Sequence, residues 1–267
     1  MQKVLRLARN TRGRDFGVGD LHGCYDQVLR GMDAVKFDQS VDRLIADGDL
    51  IDRGADNHRA VRFLRNGFVY SILGNHEEML IDLYADGEPP AAVLEFFMAR
   101  NGFGWWRTAS DELRADLLAA VKELPIVIET STERGTVGFV HAEVPIGMDW
   151  ATFTAAIEAG DKKVTKSALW GRVRANSEVT SGVAGIGRVF VGHTPQARAM
   201  RLGNVYYVDT GVVFGVTGQL PEGHLTFANL NCATVVLTDP TARPSRHLSV
   251  RHEELTSTAP FGQYLRK

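Results

Sequence analysis

A chain of 267 residues, 44% of them apolar, is long enough to bury one substantial core, and 30 basic against 32 acidic residues leave a net charge of −2. That balance supplies no field for wrapping nucleic acid or lying on an anionic membrane, so any phosphate binding has to be local. Two cysteines, Cys24 and Cys232, make no disulfide framework and point to a reducing cytoplasm, and no apolar run approaches the ~18 residues of a membrane-spanning helix.

The basic opening MQKVLRLARNTRGR has too short an apolar stretch for a secretory signal and reads as a solvated arm. DFGVGD reads as the first strand, and YDQVLRGMDAV as a helix with Val28, Leu29 and Met32 on one face. DRLIADGD is a second strand; ADNHRAVRFLRNG comes next as a helix carrying Val61, Phe63 and Leu64 and stopping at Gly67. FVYSILGN is a third strand, after which HEEMLIDLYAD sets Met79, Leu80, Leu83 and Tyr84 at helical spacing. From Pro90 to Glu123 the pattern is helical, broken by two glycines at NGFGWW, and reads as a cap over one end of the sheet. LPIVIETSTERGTVGFVHAEVP gives two strands joined by a polar turn, RVFVGHTP another, and AMRLGNVYYVDTG a hairpin turning at Gly203 and Asn204. LTFANLNCATVVLTD continues with β character. The alternation defines an α/β protein, expected as a single domain with its core over residues 16–238 and an irregular C-terminal extension over 239–267.

The residues placed directly after the strands carry the chemistry. Asp20 comes after FGVG, Asp49 after LIADG, Asn75 after YSILG, His141 after VGFV and His193 after VFVG, so five strands end in a metal-competent side chain. In α/β sheets, ligands collect beyond the carboxyl ends of the strands, where loops converge without disturbing the core. His22, two residues after Asp20, shares its face if the chain stays extended. Two carboxylates, one amide and three imidazoles, with no thiolate, suit divalent Mn²⁺, Fe or Zn²⁺, and six ligands fit two ions sharing one carboxylate better than one open ion. Each residue also has a plainer reading: Asn75 as the N-cap of its helix, with Glu78 completing a capping box in NHEE, Asp49 as a turn cap, each histidine as a satisfied polar group. Those readings do not predict five coincident strand ends.

Beside this set, Arg53 offers the planar fork that grips phosphate oxygens, and His76, bonded to an acid such as Asp52, would be held protonated to serve a leaving alkoxide.

The stretches GDLHG, GDLIDRG, GNHE, HAEVP and GHTP, in that order, resemble the signature set of the metal-dependent PPP phosphoprotein phosphatases. The likeness is closest to the small bacteriophage lambda type and its bacterial relatives, because NGFGWW, ELPIVIE, LWGRVR and VYYVDTGVVF resemble segments of that group; it runs from about Phe16 to Val236. The resemblance implies a central β-sandwich of two mixed sheets flanked by helices, the calcineurin-like metallophosphoesterase fold. It also implies phosphomonoester hydrolysis on phosphoproteins, at serine or threonine with tyrosine as a further class, by direct attack of a metal-bridging hydroxide. Carried over by motif, Asp20 and His22 would hold the first metal, Asp49 would bridge, and Asn75, His141 and His193 would hold the second; the ions are expected to be Mn²⁺, with Fe or Zn²⁺ as alternatives. His76 would be the general acid, oriented by Asp52, and Arg53 and Arg172 would bind phosphate, with Arg174 the lesser claimant to the last role. The partner implied is a phosphorylated protein or peptide, with no nucleic acid and no membrane.

The chain departs from the family at Ala55, where many members have proline, in a longer segment between His141 and Trp170, and in lacking a counterpart of the tyrosine-bearing C-terminal loop of eukaryotic relatives. Dinucleoside polyphosphate hydrolysis is the alternative on the same fold, and the intact DRG favours the phosphoprotein branch. A binding module would have lost ligands, whereas all six are present. Cys24 and Arg30 satisfy a Cys-x5-Arg spacing, but YDQVL between them lacks the glycines of a phosphate-cradling thiolate loop.

Overall fold

The computed structural model describes residues 2–232, 234–238 and 250–254. In chain order these form β1 (Val4–Leu7), β2 (Asp15–Val18), α1 (Tyr25–Ala34), β3 (Arg43–Ala46), α2 (Ala60–Leu64), β4 (Val69–Ser71), α3 (Asn75–Leu83), α4 (Ala91–Asn101), α5 (Asp111–Lys122), β5 (Val127–Thr132) and β6 (Gly135–Val140). Next come α6 (Trp150–Ala159), α7 (Lys162–Trp170), α8 (Val173–Asn176), β7 (Arg188–Val191), β8 (Met200–Leu202), β9 (Val205–Tyr207), α9 (Val212–Val216), β10 (Thr226–Asn229), β11 (Thr234–Thr238) and β12 (Val250–Glu254). A 3₁₀ turn at Phe103–Thr108 separates α4 from α5.

The strands make two six-stranded mixed sheets, ordered β1-β5-β6-β7-β9-β8 and β12-β11-β10-β2-β3-β4. Each contains a parallel trio, β6-β7-β9 in the first and β2-β3-β4 in the second. Strand alternation explains how one run of apolar residues serves two cores. Ile45, Ile128, Phe139, Phe190 and Ala228 face the layer between the sheets, where the rings of Phe139 and Phe190 stack at 5.4 Å. Their neighbours Phe16, Val18, Leu44, Ala46, Val127, Val140, Val189 and Val191 face the larger cores under the helices. The sandwich flanked by helices is the architecture the resemblance implied.

The structure corrects four readings. The basic opening is not a solvated arm: Val4–Leu7 is β1, parallel to β5, with Val4 buried. An edge strand tolerates charge on its outer side, and Arg6 meets Glu158 there at 2.8 Å. Leu29 is 50% exposed, because the buried side of α1 is set by Tyr25, Val28 and Met32. Helix α2 ends at Leu64 rather than running to a glycine stop, and the Asn66 amide donates to the carbonyls of Arg62 and Phe63, closing the helix from its own side chain. In the tail after Asp239, Val250–Glu254 pairs antiparallel with β11; the rest of that extension lies outside the described residues. The hairpin does turn at Gly203 and Asn204, with Leu202 opposite Val205, and α4 does stop at Gly102, whose φ is +75°. Among the described residues no helix is long and apolar enough to cross a membrane.

Gly31, in the middle of α1, tests the packing between helix and sheet: a Cβ there would lie 2.0 Å from the Phe227 ring of β10. Gly31→Ala should lower stability by about 1–3 kcal/mol, although alanine is favoured over glycine in a helix by ~1 kcal/mol. Urea unfolding measures this, and an unchanged or raised midpoint would contradict the packing.

Candidate active site

The carboxyl ends of the two parallel trios carry Asp20 after β2, Asp49 after β3, Asn75 after β4, His141 after β6 and His193 after β7. All five are buried, as is His22. Of the seven non-glycine residues with positive φ among the described residues, five belong here: His22, Asp49, Asp52, Arg53 and His193. Such strain persists where surrounding contacts over-determine it, and it clusters at functional sites. It also corrects the expectation of an extended Asp20–His22 pair. With φ of 43° at His22 the chain turns, so the Asp20 oxygens accept the His193 N–H at 3.1 Å while His22 Nε2 reaches 3.6 Å from Asp49 Oδ2.

Asp49 is common to two groups of ligand atoms that lie within 4.8 Å of one another, His22–Asp49–His76 and Asp49–His141–His193. Glu77 holds its backbone, accepting the N–H groups of Asp49, Leu50 and Gly74 at 2.8–3.0 Å. The capping residue of α3 is therefore Gly74, with Glu77 at its third position, rather than Asn75 with Glu78. As the first helical residue, Asn75 has its side chain free to face the histidines. A Cβ at Gly74 would sit 2.3 Å from the Asp49 amide and carboxylate, so only glycine lets the β3 and β4 loops meet.

The donor atoms fit divalent cations. His141 Nδ1 donates to the Asp47 carbonyl at 2.6 Å, which leaves the Nε2 lone pair facing Asn75 Oδ1 at 2.9 Å and Asp49 Oδ1 at 3.4 Å. His193 Nδ1 lies 2.8 Å from the same amide oxygen. His22 Nδ1 donates to the Ile51 carbonyl at 2.8 Å, so its Nε2 lone pair also turns inward. Burial keeps these imidazoles neutral: His22 and His141 are pushed down, and His193, beside His141, is lowered to about 2. Burial, and then repulsion from Asp209, raise Asp20 and Asp47, and burial takes Asp209 up to about 6. Burial opposes ionisation of Asp49 too, but the raised His76 imidazole and the His76 backbone N–H, which Asp49 Oδ1 accepts at 3.0 Å, outweigh it and hold that carboxyl below the usual range. Buried carboxylates and inward lone pairs of oxygen and imidazole nitrogen are the chemistry of a site for hard or borderline metal ions.

On the open side, Asp52 Oδ2 lies 2.6 Å from His76 Nδ1, and Trp105 Nε1 donates to Asp52 Oδ1 at 2.8 Å. Burial lowers the His76 pKa, yet Asp49 and the bond to Asp52 outweigh it and leave it raised. Arg53 places Nη1 2.6 Å from His22 Nε2 and Nη2 3.0 Å from His76 Nε2, with its guanidinium over the Phe214 ring. Arg172 reaches Thr194 Oγ1 at 3.4 Å and joins Arg53, His76 and His193 in lining a cavity of about 940 Å³, walled by Met79, Trp170, Phe214 and Leu220. Arg174 is 1% exposed, its guanidinium spent on the carbonyls of Val179 and Ser181, so it does not face this cavity. Cys24 is buried, and burial followed by the nearby Asp56 pushes its thiol up to about 12, opposite to what a nucleophile needs.

Sequence reasoning missed Asp47, Glu77, Trp105 and Asp209. Asp209 comes after β9 and was open to the same strand-end rule as the others. Asp47, whose carboxylate oxygens have no hydrogen-bond partner among the described residues, precedes the Gly48–Asp49 pair. Trp105 gave no signal, because 53 residues separate it from the carboxylate it binds.

Residues 16–164 match the profile of the calcineurin-like phosphoesterases. The chain belongs to that family. This phosphoesterase is 33% identical over 207 residues to serine/threonine-protein phosphatase 1 of Salmonella typhimurium, covering 76% of this chain and 88% of the relative. It is 30% identical over 155 residues to the symmetrical bis(5'-nucleosyl)-tetraphosphatase of Methylococcus capsulatus, covering 57% and 50% of the two chains. A cold-active protein-tyrosine phosphatase from a Shewanella species superposes with a TM-score of 0.54 at 16% identity, over 96% of this chain and 82% of that one, and so shares the fold. The family is one of hydrolases built on a dinuclear metal centre, and the two His/Asp groups meeting at Asp49 match that plan.

A carboxyl raised on folding stabilises the protein below its unfolded pKa of about 3.9 and loses that contribution as pH rises through the folded value. In chelator-treated phosphoesterase, Asp209→Asn should therefore gain stability relative to wild type as pH rises from about 4 through 6, since only wild type acquires the buried charge. Paired urea titrations at each pH track the difference; a flat one would contradict the burial of an ionising Asp209.

Proposed function

We propose that this phosphoesterase is a phosphoprotein phosphatase that hydrolyses phosphoserine and phosphothreonine, with phosphotyrosine as a further class, in the cytoplasm where Cys24 and Cys232 remain free thiols. The observation that carries the reading is the Asp52–His76 pair at 2.6 Å, bordering a cavity lined by Arg53 and Arg172. The similarity to the Salmonella phosphatase over most of both chains supports it.

In this reading Asp20 and His22 would hold one ion and Asn75, His141 and His193 the other, with Asp49 serving both. Two divalent ions, Mn²⁺ in preference to Fe or Zn²⁺, supply Lewis acidity toward phosphate oxygens and water when bound. Arg53 and Arg172 take the non-bridging phosphate oxygens, Arg53 as a planar fork. Asp52 fixes the His76 ring through Nδ1, so with Arg53 turned from Nε2 to the phosphate, Nε2 carries the proton that goes to the departing serine or threonine oxygen. Glu77 keeps the Asp49 loop in its strained conformation. Arginines that contact the phosphate both in the ground state and as charge builds affect KM and kcat together.

The test is hydrolysis of p-nitrophenyl phosphate, a phosphoseryl peptide and diadenosine tetraphosphate by protein stripped with a chelator and then given Mn²⁺, beside untreated protein exposed to a thiol alkylator. Loss on stripping, recovery with Mn²⁺ and turnover of the peptide ahead of the dinucleotide are expected, with alkylation indifferent. Preference for the dinucleotide would replace this reading by the nucleotide one, to which the Methylococcus relative points.

Asp49→Asn removes the shared carboxylate. It should take metal content below two ions per chain and lower activity by about 100-fold or more, since even the outer partners of metal ligands are worth 10–100-fold. Two tightly bound ions retained in the variant would rule out the shared role.

A further inference from the structure

Asp52 and Arg53 stand side by side in left-handed conformations, φ 74° and 66°, which two ordinary side chains do not adopt without outside support. Part of that support is the segment after α4. The Gly102 carbonyl accepts the Arg53 N–H at 3.0 Å, and a Cβ on Gly102 would lie 2.7 Å from the backbone nitrogen and Cγ of Arg53. Three residues on, the Trp105 indole donates to Asp52 Oδ1 at 2.8 Å, the oxygen not engaged by His76. The ring of Trp105 is itself fixed edge-on against Phe103 at 5.9 Å and Trp106 at 5.2 Å, and Trp106 is anchored by its own N–H to the Tyr84 hydroxyl at 2.7 Å.

We propose that Trp105 is a positioning residue of the phosphatase: its indole N–H locks the Asp52 carboxylate in the plane from which that carboxylate aims His76 at the leaving oxygen. A carboxylate with one oxygen on an imidazole keeps rotational freedom about its Cβ–Cγ bond, and a second directional donor on the other oxygen removes it. The indole is suited to this as a donor only, carried on a rigid ring with no acceptor to offer in exchange. The NGFGWW break between α4 and α5 is then an arm of the catalytic machinery, gripping Arg53 through its backbone and His76 at one remove through Asp52.

This inference rests on the reading of His76 as proton donor, and the experiment separates the two. In Trp105→Phe, which keeps a ring against Phe103 and Trp106 but loses the N–H, kcat for a phosphoseryl peptide should fall about tenfold, the scale of one hydrogen bond to a charged acceptor, with KM and metal content unchanged. For p-nitrophenyl phosphate, whose leaving group hardly needs a proton, the fall should stay within about twofold. His76→Asn must show the same leaving-group selectivity, and adding Trp105→Phe to it should cost nothing further. Equal losses on both substrates in His76→Asn would sink the reading of His76 itself. Selective loss in His76→Asn with no loss or an unselective loss in Trp105→Phe, or additive effects in the double variant, would overturn the role of Trp105 alone. Trp105→Leu serves the same comparison where the phenylalanine variant does not fold.

Discussion

Asp49 is a fully enclosed carboxylate that stays ionised, and the rest of the site is arranged around that fact. Enclosure in a protein interior drives a carboxyl toward its neutral form unless specific partners hold the charge. Here the partners are the His76 imidazole, in the first turn of α3 and itself raised, and the His76 backbone N–H, which the carboxylate accepts at 3.0 Å. The loop bearing Asp49 is secured in turn by the equally buried Glu77, from the first turn of α3. Because the two ligand groups meet only at this residue, moving Asp49 would undo both.

The sandwich explains how loops so far apart in sequence come to share one carboxylate. Each sheet contributes a parallel trio, and parallel strands deliver their carboxyl ends, with the loops that leave them, to the same edge. The candidate ligating positions thus sit within four residues of the ends of largely buried strands, whose backbones are fixed by ladder hydrogen bonds and packing. Rigid strands leading into strained, tightly packed turns give preorganised donors, and the positive φ values at His22, Asp49 and His193 mark where that order is imposed on the chain.

The electrostatics are equally local. With 30 basic and 32 acidic residues the molecule has no long-range attraction for phosphate, so in the proposed reading recognition falls to Arg53 and Arg172, which line the cavity. The cavity walls contributed by Met79, Trp170, Phe214 and Leu220 are apolar, which keeps those few charges in a setting where each counts for more than it would in water.

Much of this was legible from the chain itself. Motif order and strand-end spacing singled out Asp20, His22, Asp49, Asn75, His141 and His193, and the structure brings all six to the carboxyl ends of the two parallel trios, because period-two burial and turn-forming glycines are local properties that a sequence displays. Local patterns also explain the misses: β1 hides its alternation among arginines, and Asn75 and Gly74 compete for the same cap, with only the long-range need for Glu77 at Asp49 deciding between them. Residues whose role is a contact across the fold left no trace. Asp47 and Asp209 look like ordinary strand-end acids until burial brings them together, and Trp105 is one aromatic among several until α4 and its glycine stop deliver it to Asp52. Sequence alone determined which chemistry the protein carries, since that depends on residue type and spacing. Tertiary structure decided which oxygen meets which nitrogen, because hydrogen bonds of under 3 Å between residues fifty or more apart depend on packing that no local pattern encodes.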